Sequence, residues 1–343
     1  MTAPARTLAP YRLLLPASAD RDAWLDARRS GIGSSDVAAA MGVSSHGTAR
    51  HVYHDKRGEL PLDDDPGEAA LWGTLMEDTV AREWARRNRS IVRRVGLIAR
   101  RDAPHRMCTL DRRVDECPLN RETRERCALE IKCRSAFVAG KWKRSIPDDV
   151  LAQVLWQIHV TGFDHLHVAT LIGGNDYRQY VVRRADNEQL IADIVTVVDR
   201  LWADIQAGRP PVLTGEEPID VTLELLDELN PLRDGYANLD EYPARSVRAG
   251  ELLLEYESAR LEEKAAKQAK DSAKVRLIDE LGSHRAAVLN GEVAYQLRPT
   301  SRDHVDMDRL AEEFPDAYAA CVTARPGKTL AISKQHRLKE PIR

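Results

Sequence analysis

Residues 127–137 read CALEIKCRSAF, and within them Leu129, Glu130, Ile131 and Lys132 alternate apolar with charged side chains. Successive side chains of a β-strand point to opposite faces, so a strand here turns Leu129 and Ile131 one way and Glu130 and Lys132 the other. A carboxylate or an ammonium taken out of water needs a partner, a metal or a wet cleft. The pattern allows an edge strand with a solvated ion pair, or a strand whose charged face lines a site. The rest of the chain has to decide between them.

The chain has 343 residues, 43% hydrophobic and 31% charged, which is enough for one large or two ordinary globular domains. No run is apolar enough to span a bilayer, and the patch at residues 13–15 is broken by prolines and lacks the core of a signal peptide. A cytoplasmic protein with no membrane partner is expected. Five cysteines, at 108, 117, 127, 133 and 321, form no CxxC pair, and an odd number in a long chain argues against disulfides. Their spacings match no common iron–sulfur or zinc signature, so buried free thiols are expected. His159, His165 and His167 alternate with apolar residues and are expected as packed or surface histidines.

The net charge of -3 hides a split, because residues 214–263 hold 14 acidic residues against 4 arginines and the remainder is positive. Residues 81–101 carry eight arginines and one glutamate. Such a run serves as a solvated helix face or as a track for phosphate.

Residues 17–42 read as a helix, a turn and a second helix start, with Ser34, Ser35 and Asp36 placed to cap it and leave backbone N–H groups for an anion. Residues 66–88 read as a helix with Leu71, Leu75, Val80 and Trp84 near one face. Strand-like runs follow at 91–98, 107–115 and 128–133, then a buried helix at 149–161. Residues 165–172 and 177–183 flank a hairpin signal at Gly173-Gly174-Asn175-Asp176, and a helix at 186–207 is stopped by Gly208 and two prolines. The order predicts a layered α/β domain. The domain reading is 1–213, then an acidic linker with a long helix or helical hairpin over 214–284, then a small α+β module over 285–343.

Within that frame the charged strand face acquires partners. If the runs at 107–115 and 128–133 form one hairpin, Asp111 comes within reach of Glu130, and Glu77 lies on the helix of WGTLMEDTV. Three carboxylates beside Lys132 make the hard, oxygen-rich setting that Mg²⁺ prefers, with Mn²⁺ expected to substitute. Asp115 and Glu116 compete with Asp111 for the acidic role.

The order Glu77, Asp111, Glu130-x-Lys132 resembles the PD-(D/E)xK nuclease superfamily. Asp22-Ala23-Trp24, Arg28, Gly31-Ile32 and Ser35, then Leu71-Trp72-Gly73 with Glu77, residues 129–133, and Ala152-Gln153-Val154 are similar to the phage lambda-type exonucleases, the YqaJ-like viral recombinase family, over about residues 20–212. The resemblance implies a restriction-endonuclease-like core, a mixed central sheet flanked by helices, followed by a helical extension and a small α+β module. It also implies a 5′-to-3′ exonuclease on double-stranded DNA ends that makes single strands for an annealing protein, working as a homo-oligomer, with a ring-shaped trimer as in lambda-type members.

Under that resemblance Asp111 and Glu130 are the main metal ligands, joined by the carbonyl of Ile131, and Glu77 completes the site directly or through water. Lys132 orients or polarises the attacking water and Gln153 lines the site. Arg28 and Ser35, with Thr109, grip the terminal 5′-phosphate. Trp24, Arg134 and Lys141 are candidate DNA contacts. The chain departs from the pattern beside Asp111, where Leu110 and Arg112 stand in place of the family's usual proline and glycine. A related endonuclease or RecB-like nuclease, and a non-catalytic DNA-end-binding recombination mediator, are the competing readings.

Overall fold

The alternating stretch around Glu130 becomes the middle strand of a five-stranded mixed sheet. The structure is a computed structural model that describes residues 8–61, 67–119, 126–301, 305–323 and 329–340. It divides into two units, residues 1–233 and 234–343. In chain order the first unit holds strands β1 (Tyr11–Leu15), β2 (Val92–Arg93), β3 (Leu97–Arg100), β4 (Met107–Thr109), β5 (Arg112–Val114), β6 (Cys127–Arg134), β7 (His165–Ile172) and β8 (Asp176–Arg183). Its helices are α1 (Arg21–Arg28), α2 (Val37–Ala40), α3 (Ala49–Lys56), α4 (Gly67–Asn88), α5 (Asp148–Thr161), α6 (Glu188–Gln206) and α7 (Ile219–Leu229).

The large sheet runs β2-β5-β6-β7-β8, with β6 and β7 parallel and the other neighbours antiparallel. Two parallel neighbours require a crossover, and α5 supplies it. Asp148 and Asp149 stand in the first turn of α5, where the helix dipole favours acid, and Gly162 ends it in the left-handed conformation at φ 71°. Alternation assigns the two faces. Cys127, Leu129, Ile131 and Ala169 pack with Val80, Ala81 and Trp84 of α4, while Ala128, Leu166 and Val168 pack with Val154, Leu155 and Ile158 of α5. A mixed central sheet flanked by helices is the architecture expected from the sequence.

A second, antiparallel sheet runs β1-β3-β4. The expected strand at 107–115 breaks at Leu110 and Asp111 into β4 and β5, which belong to different sheets. The break has a local cause: the Asp111 carboxylate turns onto the backbone N–H of Ile131 at 2.7 Å. Gly31 fixes the opposite side of this junction. Ile32 accepts from Met107 N (3.0 Å) and donates to His105 O (2.7 Å), and a Cβ at Gly31 would meet His105 O at 2.5 Å.

Several local expectations change. Residues 11–15, read only as a proline-broken apolar patch, pair with β3 as a strand. Helix α3 falls where no helix is expected, and α7 forms within the acidic stretch and buries Leu225. On α4 only Val80, Ala81 and Trp84 are buried, whereas Leu71, Trp72 and Leu75 of its first half face solvent. The helix start expected at Ser34–Asp36 forms with Asp36 at its N-cap, but without a side-chain capping hydrogen bond. Helix α2 has four residues, and Asp36 folds its own carboxylate onto Gly33 N (2.8 Å) and the buried Lys56 ammonium (2.7 Å). Although burial opposes it, the charges of Lys56 and Arg28 hold Asp36 below the usual carboxylate range. Pro66 and residues 120–125 of the turn-rich stretch lie outside the described residues.

The second unit consists of α8 (Pro243–Leu281), a single 39-residue helix, a hairpin of β9 (Ala286–Leu289) and β10 (Glu292–Gln296), and two short helices, α9 (Met307–Glu313) and α10 (Pro315–Cys321). Among its described residues only Glu257 and Leu281 are buried. No helix among the described residues is long and apolar enough to cross a membrane.

Candidate active site

The residues of the charged strand face meet as a closed hydrogen-bonded set. Glu130 is 1% exposed. Its Oε1 accepts from Lys132 Nζ at 2.5 Å and from Gln153 Nε2 at 2.7 Å, and its Oε2 accepts from Gln157 Nε2 at 2.7 Å. Lys132 also donates to Gln153 Oε1 at 2.9 Å, so each member holds the others in place. Gln153 and Gln157 reach one carboxylate because residues four apart on α5 share a face. A second amide hydrogen bond from Gln157 to Thr109 O, at 3.1 Å, ties this helix face to the end of β4. A carboxylate this buried persists only when most of its lone pairs are taken, and here three donors take three of them.

Asp111 stands beside this set. The antiparallel register pairs Arg112 with Leu129, which carries Asp111 to the Glu130–Ile131 step, where its Oδ2 accepts from Ile131 N. Burial, and then the charge of Glu130, push the Asp111 carboxyl well above the usual carboxylate range, with Lys132 opposing. Two carboxylates side by side, Glu130 buried and Asp111 half-buried at a cleft wall, with one lysine for both, leave negative charge to be neutralised. The donor set is all oxygen, and that chemistry fits a hard divalent cation.

Glu77 is oriented differently from the expectation. It forms an ion pair with the Arg112 guanidinium, which also reaches Asp78 at 3.2 Å. Arg112 is 3% exposed, so Glu77 is held by a buried cation. Among the described residues, Glu77, Asp111 and Glu130 do not bring three ligand atoms to within 4.8 Å of one another. Glu77 still borders the site: with Trp24, Thr74, Arg94, Thr109, Asp111 and Arg112 it lines a cleft of about 220 Å³.

Trp24 links this cleft to the expected phosphate-gripping pair. The Arg28 guanidinium lies 4.7 Å above the Trp24 ring and donates to Ser35 Oγ at 2.7 Å, while forming an ion pair with Asp36 at 3.0 Å. Arg28 and Ser35 line a separate cleft of about 650 Å³. Arg134 and Lys141 come together in a third, of about 540 Å³, with Trp142 and Asp148. The arginine-rich stretch 81–101 is not one free basic stripe, because Arg82 pairs with Asp78, Arg86 and Arg87 with Glu83, Arg93 with Asp115 and Arg100 with Asp102. Asp115, the rival acid, is engaged by Arg93 and Arg113.

Sequence reading missed three participants. Gln157 lies one helical turn beyond Gln153, and its hold on Glu130 depends on the packing of α5. Arg112 appeared as a departure from a familiar pattern and proves to be the partner of Glu77. The third is a group of sulfur and nitrogen side chains. Cys108, Cys117 and Cys127 are buried and unbridged as expected, but Cys117 and Cys127 are not isolated thiols. With His165 and His167, packed as expected, they form a buried four-residue cluster on the α4 face of the same sheet. Neighbouring strands assembled the cluster, so no sequence spacing announced it.

Comparisons with known proteins follow this geometry. Over 307 residues the chain is 28% identical to the uncharacterized protein YqaJ of Bacillus subtilis (strain 168), covering 87% of this chain and 89% of that protein. It resembles the crystal structure of an alkaline exonuclease, LHK-Exo, from Laribacter hongkongensis at 20% identity, with a TM-score of 0.45 over 60% of this chain and 99% of that one. A structure of LHK-Exo in complex with dAMP is similar at 21% identity, with a TM-score of 0.45 over 55% and 93% of the two chains. Residues 23–164, from α1 to the end of the α5 turn and so including every member of the Glu130 set, match the model of the YqaJ-like viral recombinase domain.

Proposed function

We propose that the chain is a metal-dependent deoxyribonuclease that shortens one strand of a DNA duplex from its 5′ end, leaving single strands for recombination. The observation that carries this reading is the buried Glu130, held by Lys132, Gln153 and Gln157 with one lone pair of Oε2 left over, and set against Asp111. A pure binding surface has no use for a pair of acids that repels phosphate. The matching recombinase domain model supports the same conclusion.

Asp111 and Glu130, with the Ile131 carbonyl, would hold Mg²⁺ or Mn²⁺, and Glu77 would join only by releasing Arg112. A bound divalent ion supplies an acidified water and neutralises charge developing on the phosphate. The protein's own contribution is placement. Gln153 and Gln157 fix the Glu130 carboxylate against rotation, and Ile131 N–H fixes that of Asp111. Lys132, held at two points, directs its remaining N–H toward the water that attacks phosphorus and balances the charge of the phosphodiester.

The end of the duplex would be held along the line Thr109, Trp24, Arg28, Ser35, with the indole as a stacking plate and the guanidinium on the 5′-phosphate. To receive that phosphate, Arg28 must exchange Asp36 for it. Arg134 and Lys141 would follow the backbone. Assembly of several copies around the duplex and transfer of the product strand to a single-strand annealing protein belong to the same proposal.

The test is a linear duplex labelled separately on each strand, with 5′-phosphate or 5′-hydroxyl ends, beside a closed circle of the same sequence. The proposal expects loss of the 5′-ended strand, faster on phosphorylated ends, and an intact circle. Arg28→Ala should erase the preference for phosphate. Cutting of the circle would indicate an endonuclease, and binding of ends without cutting would indicate a mediator.

A further inference from the structure

We propose that Cys117, Cys127, His165 and His167 form a structural zinc site on the α4 face of the central sheet. Three chain segments deliver the ligands. Cys117 lies in the bend beyond β5, Cys127 opens β6, and His165 and His167 occupy alternate, same-face positions at the start of β7. Strand register brings them together: Val114 pairs with Cys127 across β5 and β6, and Leu129 pairs with His167 across β6 and β7.

One ligand atom from each residue lies within 4.8 Å of all the others. Cys117 Sγ is 3.1 Å from His165 Nε2 and 3.4 Å from His167 Nε2. With zinc about 2.3 Å from sulfur and about 2.0 Å from nitrogen, the edges of a tetrahedral site fall at roughly 3.5 Å, the same scale. All four residues are buried, at 2%, 0%, 1% and 4% exposure, and the Trp84 ring covers His167 at 4.9 Å.

Ordinary hydrogen bonding is a poor account of this packing. A thiol has one weak donor proton, yet the Cys117 sulfur faces two imidazole nitrogens and the Cys127 thiol in a sealed apolar setting. A neutral thiol meets three such partners only through one weak donated and two weak accepted hydrogen bonds, so the close-packed polar atoms compete for a poor partner. A divalent cation at the centre removes the conflict for all four side chains together.

The choice of metal follows from the donors. Two sulfurs and two imidazoles, with no carboxylate among them, select zinc over Mg²⁺ or Ca²⁺. Asp115, two residues before Cys117, is committed to Arg93 and Arg113. Four protein ligands fill a tetrahedron and leave no position for water, so the site is structural rather than catalytic. It would staple the ends of β5, β6 and β7 together three residues before Glu130. His165 and His167 also lie outside the recombinase-matching segment, which ends at residue 164. The proposal stands independently of the nuclease reading.

The experiment is elemental analysis of the full chain purified without chelators, followed by exchange into Co²⁺. One tightly held zinc per chain is expected, with Co²⁺ giving thiolate charge-transfer bands and the strong visible bands of a tetrahedral site. Cys127→Ser and His165→Asn should lose both, while Lys132→Ala keeps both. Because the cysteine and histidine variants can fail to fold, the wild type is also titrated with a mercurial in the presence of a zinc-sensing dye, and zinc should appear in step with modification of two thiols. Folded wild type that holds no transition metal, zinc release unrelated to thiol modification, or a weak six-coordinate Co²⁺ spectrum would each overturn the assignment. An iron–sulfur spectrum would overturn it as well.

Discussion

Strand β6 carries two polar clusters on its two faces, and they are built on opposite principles. Toward α5, Glu130 and Lys132 meet two glutamines and Asp111, all oxygen and nitrogen groups able to carry or neutralise charge. Toward α4, Cys127 meets Cys117, His165 and His167 under Trp84. The first borders a cleft, through Asp111 and Thr109, and retains an imbalance of charge. The second is sealed. One face has the makings of a reaction site and the other those of a clamp, and a single strand coordinates the two.

That contrast breaks most sharply under substitution. Replacing Lys132 by Ala should lower the rate of duplex degradation by ~10²–10⁴-fold, the usual scale for removing a group that acts on the reacting atoms. Its melting temperature should stay near that of the wild type, because Lys132 is partly exposed. Cys127→Ser should do the reverse, lowering the melting temperature by roughly 10 °C through loss of a metal-linked tie, while the activity of molecules that remain folded falls far less. Calorimetry and a rate assay on the same preparations check both.

Gln157→Leu sharpens the description of the α5 face. It removes one charge-assisted hydrogen bond to Glu130, a loss of about 1.5–3 kcal/mol, and should slow the reaction by roughly tenfold or more without altering metal content on the α4 face. A smaller effect concerns pH. Burial, then the charges of Arg100 and Arg106, lower His159 on α5 from 6.5 to about 4. A depressed histidine contributes stability above its unfolded value, so stability should be lost as pH falls from 6.5 toward 4, and His159→Gln should flatten that slope in denaturant titrations. The smallest effect is expected from Asp115→Asn. Asp115 is held by surface arginines rather than the site, and its rate should stay within about twofold of wild type.

The two faces also differ in how far the sequence foretells them. Glu130, Lys132 and Gln153 are legible because strand alternation and a recognisable order of short motifs point to one place. Asp111 is reachable by the same argument, since a hairpin register needs only the two strands and their separation. The orientation of Glu77 is not, because it depends on Arg112, a neighbour that the strand pattern does not single out. The sulfur–nitrogen cluster is invisible for a different reason. Its ligands come from just beyond the end of β5, the start of β6 and, beyond the β6–α5–β7 crossover, the start of β7, so their meeting is a property of sheet order and not of any local spacing. Helix α2 teaches a further lesson: Ser34, Ser35 and Asp36 have the composition of a helix cap, yet Lys56, 20 residues away and buried, redirects Asp36. Likewise the spacing of Leu71 and Leu75 suits a buried face, but α4 buries only Val80, Ala81 and Trp84.

The most direct test of the central claim is degradation of a linear duplex by wild type and Asp111→Asn across a series of Mg²⁺ concentrations, with zinc content measured in parallel. The account predicts cleavage that rises from zero with Mg²⁺ in the wild type, disappears in the variant, and leaves zinc unchanged in both. Full cleavage without added Mg²⁺, or an Asp111→Asn enzyme as fast as wild type, would contradict it.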